Sequence, residues 1–393
     1  MVTHRPLFGA EFSRAEYDRR YRRAWALMRK AGLSGLLVTS QSNHRYLTGH
    51  RSQFWASNAR PMYTILPDGK PPVSVVTEVE GNGLRATSYV RDIRTFAGFA
   101  DDSVPVLAEV LQELGFAGAK VGVDFGDEMR LGMPLTSFRK LEARVKRIKF
   151  VDGSPVLWAL RLIKSAPEIA YIRQACRAAN AGIRRGWKIL KPGMTARAVH
   201  RHMVVAMMEA GADRVAWSPV VAGRENNDKY TLEPTNRKFR AGDAVWTDIG
   251  VAVNGYWSDF SRVAAVGCAS SVQRDDYRRV WDVTQACIEA VRPGLPVSHI
   301  AKVRDREFVR IGYRHGSVNP GRMGHGSGLD MTEPPSIAAF DGTMMKPGLV
   351  LHIEPKIVRD HGIFQLEELV AVTKTGYAWI TEPAPKTLPV IGK

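Results

Sequence analysis

The chain has 393 residues, of which 45% are hydrophobic and 24% charged, and it carries a formal net charge of +17. That length predicts two domains with sizeable cores, and the ordinary composition excludes disordered, fibrous and low-complexity classes. No apolar run approaches membrane-spanning length, the opening residues lack a leader's apolar segment, and Cys176, Cys268 and Cys287 make no paired framework, so free thiols in the cytoplasm are expected.

Ser13-Arg-Ala-Glu16 predicts a capping box that opens a helix running to about Lys30 and stopping near Gly32. Arg14, Arg19, Arg20, Arg22, Arg23 and Arg29 crowd this helix. They read as a solvated face, since neither a recognition motif nor an aromatic stacking platform accompanies them, and no nucleic-acid or membrane partner is expected. The positive field can instead draw anionic substrates toward a cleft. Strands are predicted at residues 35–39, 62–66, 72–77 and 120–124, with a helix near 104–114. Segments 42–49 and 54–60 mix aromatics with arginine and read as loop. The alternation predicts an α/β layer domain over residues 1–155, with Asp152-Gly-Ser-Pro155 as the joint to a second domain at 156–393.

The second domain opens on another capping box, Ser165-Ala-Pro-Glu168. Thr195 is expected to cap a further helix, and helices are predicted at 271–291 and 298–311. Two apolar hairpins share this half of the chain, so helices on one side of hairpins predict an α+β arrangement. In the first, residues 244–253 and 256–262 flank Asn254-Gly255, a pair suited to a turn that needs positive φ twice. Val253 then faces Tyr256, Asp248 faces Ser261, and Asp259 lies diagonal to Asp248 on the same face, with Cα atoms about 7–8 Å apart. Carboxylates that close repel each other unless a cation lies between them.

In the second hairpin, residues 349–358 and 363–373 flank an expected four-residue loop, 359–362. That choice sets Glu354 opposite Glu367 and turns Glu368 to the other face as a salt-bridge partner; a one-residue slip favours Glu368 instead. His325 lies in Gly324-His-Gly-Ser-Gly328, where glycines let the backbone approach a crowded site. Asp248, Asp259, His325, Glu354 and Glu367 are the ligand inventory for two divalent metal ions with room for a bridging water. Oxygen-rich ligation favours Mn²⁺, and Zn²⁺, Co²⁺ or Fe²⁺ are also compatible.

These segments resemble the pita-bread metallohydrolase family, which includes prolidase, aminopeptidase P, methionine aminopeptidase and creatinase. The likeness is carried by Gly242-Asp-Ala-Val-Trp-Thr-Asp248, Gly255-Tyr-Trp-Ser-Asp259, Gly324-His325-Gly-Ser-Gly, Leu351-His-Ile-Glu354-Pro and Leu366-Glu367-Glu368-Leu. It extends upstream through residues 160–168 and a creatinase-type N-terminal domain. The resemblance implies a pita-bread α+β catalytic domain behind an α/β domain. It also implies a metal-dependent hydrolase of a peptide or imide C–N bond, of the Xaa-Pro dipeptidase or aminopeptidase P kind, acting on a short peptide or other small molecule. Glu354 and His325 would be the catalytic pair, with Glu354 both ligating metal and shuttling the proton to the leaving nitrogen. A homodimer is implied as well, with Trp55 and Arg60 closing the neighbouring pocket.

Two positions depart from the peptidase pattern. Where those relatives carry substrate-site histidines, this chain has Thr231 and Thr332, whose hydroxyls carry no charge near neutral pH. Lys356 stands where the family commonly has glycine, and Arg322 precedes the His325 loop; together they suggest a cationic pocket for a substrate carboxylate. The departures keep open a creatinase-like small-amide hydrolase or a lyase on the same fold. A non-catalytic binding protein is the third reading.

Overall fold

The computed structural model describes residues 6–313 and 321–392. Residues 1–5, part of the stretch on which the absence of a leader was judged, lie outside it. The chain divides into two units, Met1–Arg161 and Leu162–Lys393.

The first unit begins with α1 (Arg14–Lys30), whose Ser13 Oγ accepts from Glu16 N at 3.3 Å. Only that half of the expected capping box forms, because the Glu16 carboxylate accepts from Arg19 and Arg20 instead. Then follow β1 (Gly35–Val38), α2 (Gln41–Thr48), β2 (Tyr63–Pro67), β3 (Val73–Thr77), α3 (Glu78–Thr87) and β4 (Asp92–Phe96). The unit closes with α4 (Ser103–Glu113), β5 (Lys120–Val123), α5 (Leu135–Arg144), β6 (Lys149–Asp152) and α6 (Ser154–Leu162). Six strands make one mixed sheet in the order β4-β3-β2-β1-β5-β6. Strands β1, β2 and β3 are buried throughout, as a sheet covered on both faces requires. One face packs Leu37, Ile65, Val75 and Val121 against Leu107 and Leu111 of α4 and Phe138 and Leu141 of α5. Residues 42–49, expected as loop, are instead mostly the helix α2, which stops on Gly49 at φ 76°. The expected joint, Asp152-Gly-Ser-Pro155, runs from the end of β6 into the first turn of α6.

The arginines of α1 are largely engaged. Arg20 is buried, with its guanidinium 4.4 Å from the Phe12 ring centre and 4.2 Å from that of Tyr46. Arg23 donates to the Ala159 carbonyl, and Arg29 pairs with Asp68.

The second unit continues with α7 (Ala166–Ile189), α8 (Ala196–Glu209), β7 (Arg214–Trp217), β8 (Val220–Ala222), β9 (Ala244–Val253), β10 (Tyr256–Trp257) and β11 (Phe260–Val266). Helices α9 (Ser271–Glu289) and α10 (Ser298–Arg310) follow. The remaining strands are β12 (Gly324–Gly326), β13 (Glu333–Ser336), β14 (Val350–Ile353), β15 (Lys356–Arg359), β16 (Gly362–Gln365), β17 (Glu368–Val372), β18 (Tyr377–Trp379) and β19 (Val390–Ile391). Glu168 accepts from Ser165 N at 2.7 Å at the start of α7, and Thr195 caps α8 through Ala198 N.

Asn254 and Gly255 have φ of 46° and 72°, the two positive angles a tight right-twisted hairpin demands. Val253 pairs with Tyr256 and Asp248 with Ser261, as the spacing predicts. The second hairpin keeps its expected register, Val358 with Ile363, but Arg359 pairs with Gly362, so the loop is Asp360-His361 rather than four residues. It also divides in two: β15 and β16 form a ribbon of their own, while β14 and β17 pair in a five-stranded sheet. The break falls at Pro355, which has no N–H to offer a ladder. Ile353 pairs with Glu368, which leaves Glu354 and Glu367 facing each other in the gap between the two ladders. Beneath lies the main core of the unit, where Trp246, Val263, Leu351, Ile353, Phe364 and Val370 meet Tyr277, Val280 and Ile300 of the helices.

Candidate metal centre

Two of the functional side chains stand within strands and three stand just outside strand ends. Asp248 is central in β9; Asp259 immediately precedes β11; His325 is the middle residue of β12; Glu354 follows β14; Glu367 precedes β17. Strand alternation aims all five at one place. His325 Nε2 lies 3.7 Å from Asp259 Oδ2 and 3.8 Å from Glu354 Oε1. Asp248 is within hydrogen-bonding reach of both Asp259 and Glu367. The close backbone approach depends on glycine: a Cβ on Gly324 would stand 2.0 Å from the His352 carbonyl oxygen.

The electrostatics are those of crowded acids. Burial first, then the charges of Asp248 and Glu354, push Asp259 well above the usual carboxylate range. Glu367 is pushed the same way by burial and then by Asp259, Asp248 and Glu354. Burial raises Glu354 to about 7, although Lys356 and Arg322 oppose the shift. Asp248 is raised by burial, against the hydrogen bond that Trp217 Nε1 donates to its Oδ2 at 3.1 Å. Burial lowers His325 to about 4, so its imidazole is neutral at pH 7. Its Nδ1 donates to the Gly326 carbonyl at 2.9 Å, which leaves the Nε2 lone pair facing the carboxylates.

Two buried oxygens, Asp248 Oδ1 and Asp259 Oδ1, meet no hydrogen-bond donor. Orphaned carboxyl oxygens beside an imidazole lone pair form a donor set suited to a divalent cation, and the residues present fit one. Parity also separates the adjacent glutamates. Glu368 faces away and accepts from Arg262 at 3.0 Å, from Thr381 Oγ1 at 2.6 Å and from Ala384 N at 2.7 Å.

The sequence comparisons decide the family. The family model described as metallopeptidase family M24 matches residues 170–374, and the creatinase/prolidase N-terminal domain matches residues 20–163. The chain belongs to metallopeptidase family M24. It is therefore a metal-dependent hydrolase, with a pita-bread catalytic domain behind a creatinase-type N-terminal domain. The Xaa-Pro dipeptidase of Pyrococcus furiosus is 27% identical over 302 residues, covering 77% of this chain and 86% of the relative. The crystal structure of dipeptidase PepE from Mycobacterium ulcerans superposes with a TM-score of 0.83 at 28% identity, covering 97% of this chain and 99% of that one. A recombinant prolidase from Thermococcus sibiricus gives a TM-score of 0.84 at 26% identity, with coverages of 95% and 99%.

Within this M24 chain, Lys356 and Arg322 are the other expected site residues whose charges reach the cluster. Lys356 is half-buried, with Nζ 4.5 Å from the Tyr230 ring centre and 5.5 Å from that of Trp246. Its charge acts on Asp248, Asp259 and Glu354. Arg322 donates to Ser336 Oγ at 3.2 Å and its charge acts on His325 and Glu354. Thr231 is exposed in a turn, and Thr332 is half-buried just before β13. Trp55 and Arg60 belong to the first unit, where Trp55 packs edge-on against His44 and Arg60 lies over the rings of Phe54 and Phe99.

Three neighbours of the cluster were not anticipated: His352, Gln365 and Trp217. His352 falls with Asp259, His325 and Glu367 in a group whose candidate ligand atoms lie within 4.8 Å of one another. Gln365 Nε2 donates to Glu354 Oε2 at 3.0 Å. His352 lies two residues before Glu354 and Gln365 two before Glu367, so the alternation that selected the glutamates also marked these two.

Proposed function

We propose that Asp248, Asp259, His325, Glu354 and Glu367 hold two divalent ions, Mn²⁺ foremost, and that the enzyme hydrolyses the Xaa-Pro bond of a dipeptide or short peptide. The observation that carries this reading is the convergence of four carboxylates and one neutral imidazole, with two buried oxygens lacking donors. Four carboxylate charges are balanced by two dications, whereas one would leave the buried cluster anionic. Bound ions supply Lewis acidity and an acidified water near neutral pH.

The chain's own groups do the rest. Glu354 is the most open of the carboxylates named in these contacts, with 22% side-chain exposure. From the cleft side its Oε1 accepts the proton of the attacking water and returns it to the leaving nitrogen. Gln365 fixes the other oxygen, Oε2, so the carboxylate turns one face only toward substrate. Lys356, steadied over Tyr230 and Trp246, and Arg322 offer cations for the carboxylate of a short substrate. A homodimer in the cytoplasm that brings Trp55 and Arg60 to a partner's pocket completes the proposal.

A second reading, a small-amide hydrolase on the same scaffold, is favoured by Thr231 and Thr332, which cannot supply the charge of the relatives' imidazoles. Metal analysis of purified protein, followed by Xaa-Pro dipeptides, longer Xaa-Pro peptides and small amides assayed with added Mn²⁺, separates the readings. Turnover of the dipeptides supports the proposal. Fully metallated protein that leaves every proline peptide intact but hydrolyses an amide supports the second reading, and protein that takes up no metal defeats both.

A further inference from the structure

His352 is fully buried in β14, and its two ring nitrogens are both committed. Nδ1 lies 2.8 Å from the backbone carbonyl oxygen of Asp259 and 3.2 Å from Glu367 Oε1. A backbone carbonyl can only accept, so Nδ1 must carry the proton. Nε2 lies 2.6 Å from Ser327 Oγ, which accordingly donates to it. The ring also stacks on His325 at 4.5 Å between centroids with the planes 19° apart, a consequence of the His325–His352 pairing between β12 and β14. One imidazole therefore touches the Asp259 backbone carbonyl, the Glu367 carboxylate and the His325 ring, which come from three different segments of the chain.

We infer that His352 is a positioning residue for the metal centre, holding Asp259 and Glu367 through a shared Nδ1–H and His325 through ring stacking, with Ser327 fixing its tautomer. The inference rests on the metal-ligand roles proposed above. Neither nitrogen has a lone pair left for an ion: one bears the proton and the other accepts from Ser327. The effect on the cluster is geometric. Glu367 can accept the N–H through Oε1 while Oε2 stays within 3.5 Å of Gln365 Nε2, so its carboxylate plane is fixed from two sides. Loss of such outer hydrogen bonds commonly weakens metal binding about 10- to 100-fold.

The test is Mn²⁺ titration of chelator-stripped protein by calorimetry, with the melting temperature followed in parallel, on wild type, His352→Phe, His352→Asn and Ser327→Ala. Phe keeps the stacking ring but removes the N–H, and is expected to raise the Mn²⁺ dissociation constant at least about tenfold. Asn can offer an amide N–H at the place of Nδ1 and is expected to recover most of that loss. Ser327→Ala, which frees the tautomer, is expected to fall between wild type and Phe. X-ray absorption of Mn²⁺-loaded wild type and His352→Asn should count the same number of imidazole ligands. Wild-type affinity in folded His352→Phe overturns the inference, as does one imidazole fewer in the Asn variant, which would make His352 a ligand. If the Phe variant does not fold, the other two decide: wild-type affinity in Ser327→Ala with no recovery in Asn overturns it as well. Failure of wild type itself to bind Mn²⁺ defeats the proposed metal site instead.

Discussion

Asp124 in the first unit and Asp259 in the second are both buried aspartates next to strands, yet their surroundings differ in kind. The Asp124 oxygens accept from Thr39 N, Thr39 Oγ1, Ser40 N and Asn43 Nδ2, and every one of these bonds is 3.1 Å or shorter. Asp259 keeps one oxygen without a donor, a neutral imidazole 3.7 Å from the other, and carboxylates nearby. The first aspartate is satisfied by its own fold and ties loop to helix. The second is left short of hydrogen-bond donors, a lack that a proton or a bound cation would meet. Burial alone does not separate the two acids; unmet hydrogen-bonding capacity beside other buried carboxylates does.

The contrast can be broken by mutation. Asp259→Asn should abolish Mn²⁺ retention and lower hydrolysis by about 10³-fold, equivalent to several kcal/mol of lost charge stabilisation, while leaving the urea midpoint of metal-free protein unchanged or raised. Asp124→Ala should do the reverse. It strands four donors and should cost roughly 3 kcal/mol in urea denaturation, with the Mn²⁺ dissociation constant of the folded protein unaltered. Equal behaviour of the two variants would remove the distinction.

Metal removal sharpens it further. Asp248, Asp259, Glu354 and Glu367 all titrate above their ordinary range in the metal-free fold. Groups raised in this way contribute stability that is fully present below about pH 4, where unfolded carboxyls are protonated, and lost as pH rises through the folded values. For Glu354 that value is about 7. The melting temperature of stripped protein should therefore fall between pH 5 and 8, and Mn²⁺ should flatten the fall. At a hundredfold excess over its dissociation constant the ion adds about 2.7 kcal/mol. A stripped protein more stable at pH 8 than at pH 5 would contradict the crowded-acid account. The smallest effect concerns Lys356: Lys356→Gln should raise KM for a substrate bearing a carboxylate about tenfold, with kcat nearly unchanged and an amidated analogue unaffected.

Much of the site was legible because a strand has a two-residue period. Asn254-Gly255 fixed one register, while the other rested on the choice of loop, which kept the correct parity although it was drawn two residues too long. His352 was passed over because an imidazole in an apolar run resembles core filling until its cross-strand partner is known to be His325. In the first unit, α3 escaped notice because Gly81 and Gly83 weaken any helical pattern; a Cβ on Gly81 would stand 3.1 Å from Thr95 Cγ2, so α3 packs closely on β4 there. Helix α2 was obscured by its aromatics and arginine. The engagement of Arg20 with Phe12 and Tyr46 was equally hidden, since residues distant in sequence surround it.

The two-residue turn at Asn254-Gly255 also bears on how descendants of this chain can vary. One added residue would have to stay in a widened loop, because if it entered the ladder it would rotate Asp259 to the back of the sheet. Insertions at that spot are tolerated only where the pairing of Asp248 with Ser261 is kept. Exposed connections away from the site residues carry no such constraint, and there length is freer to drift.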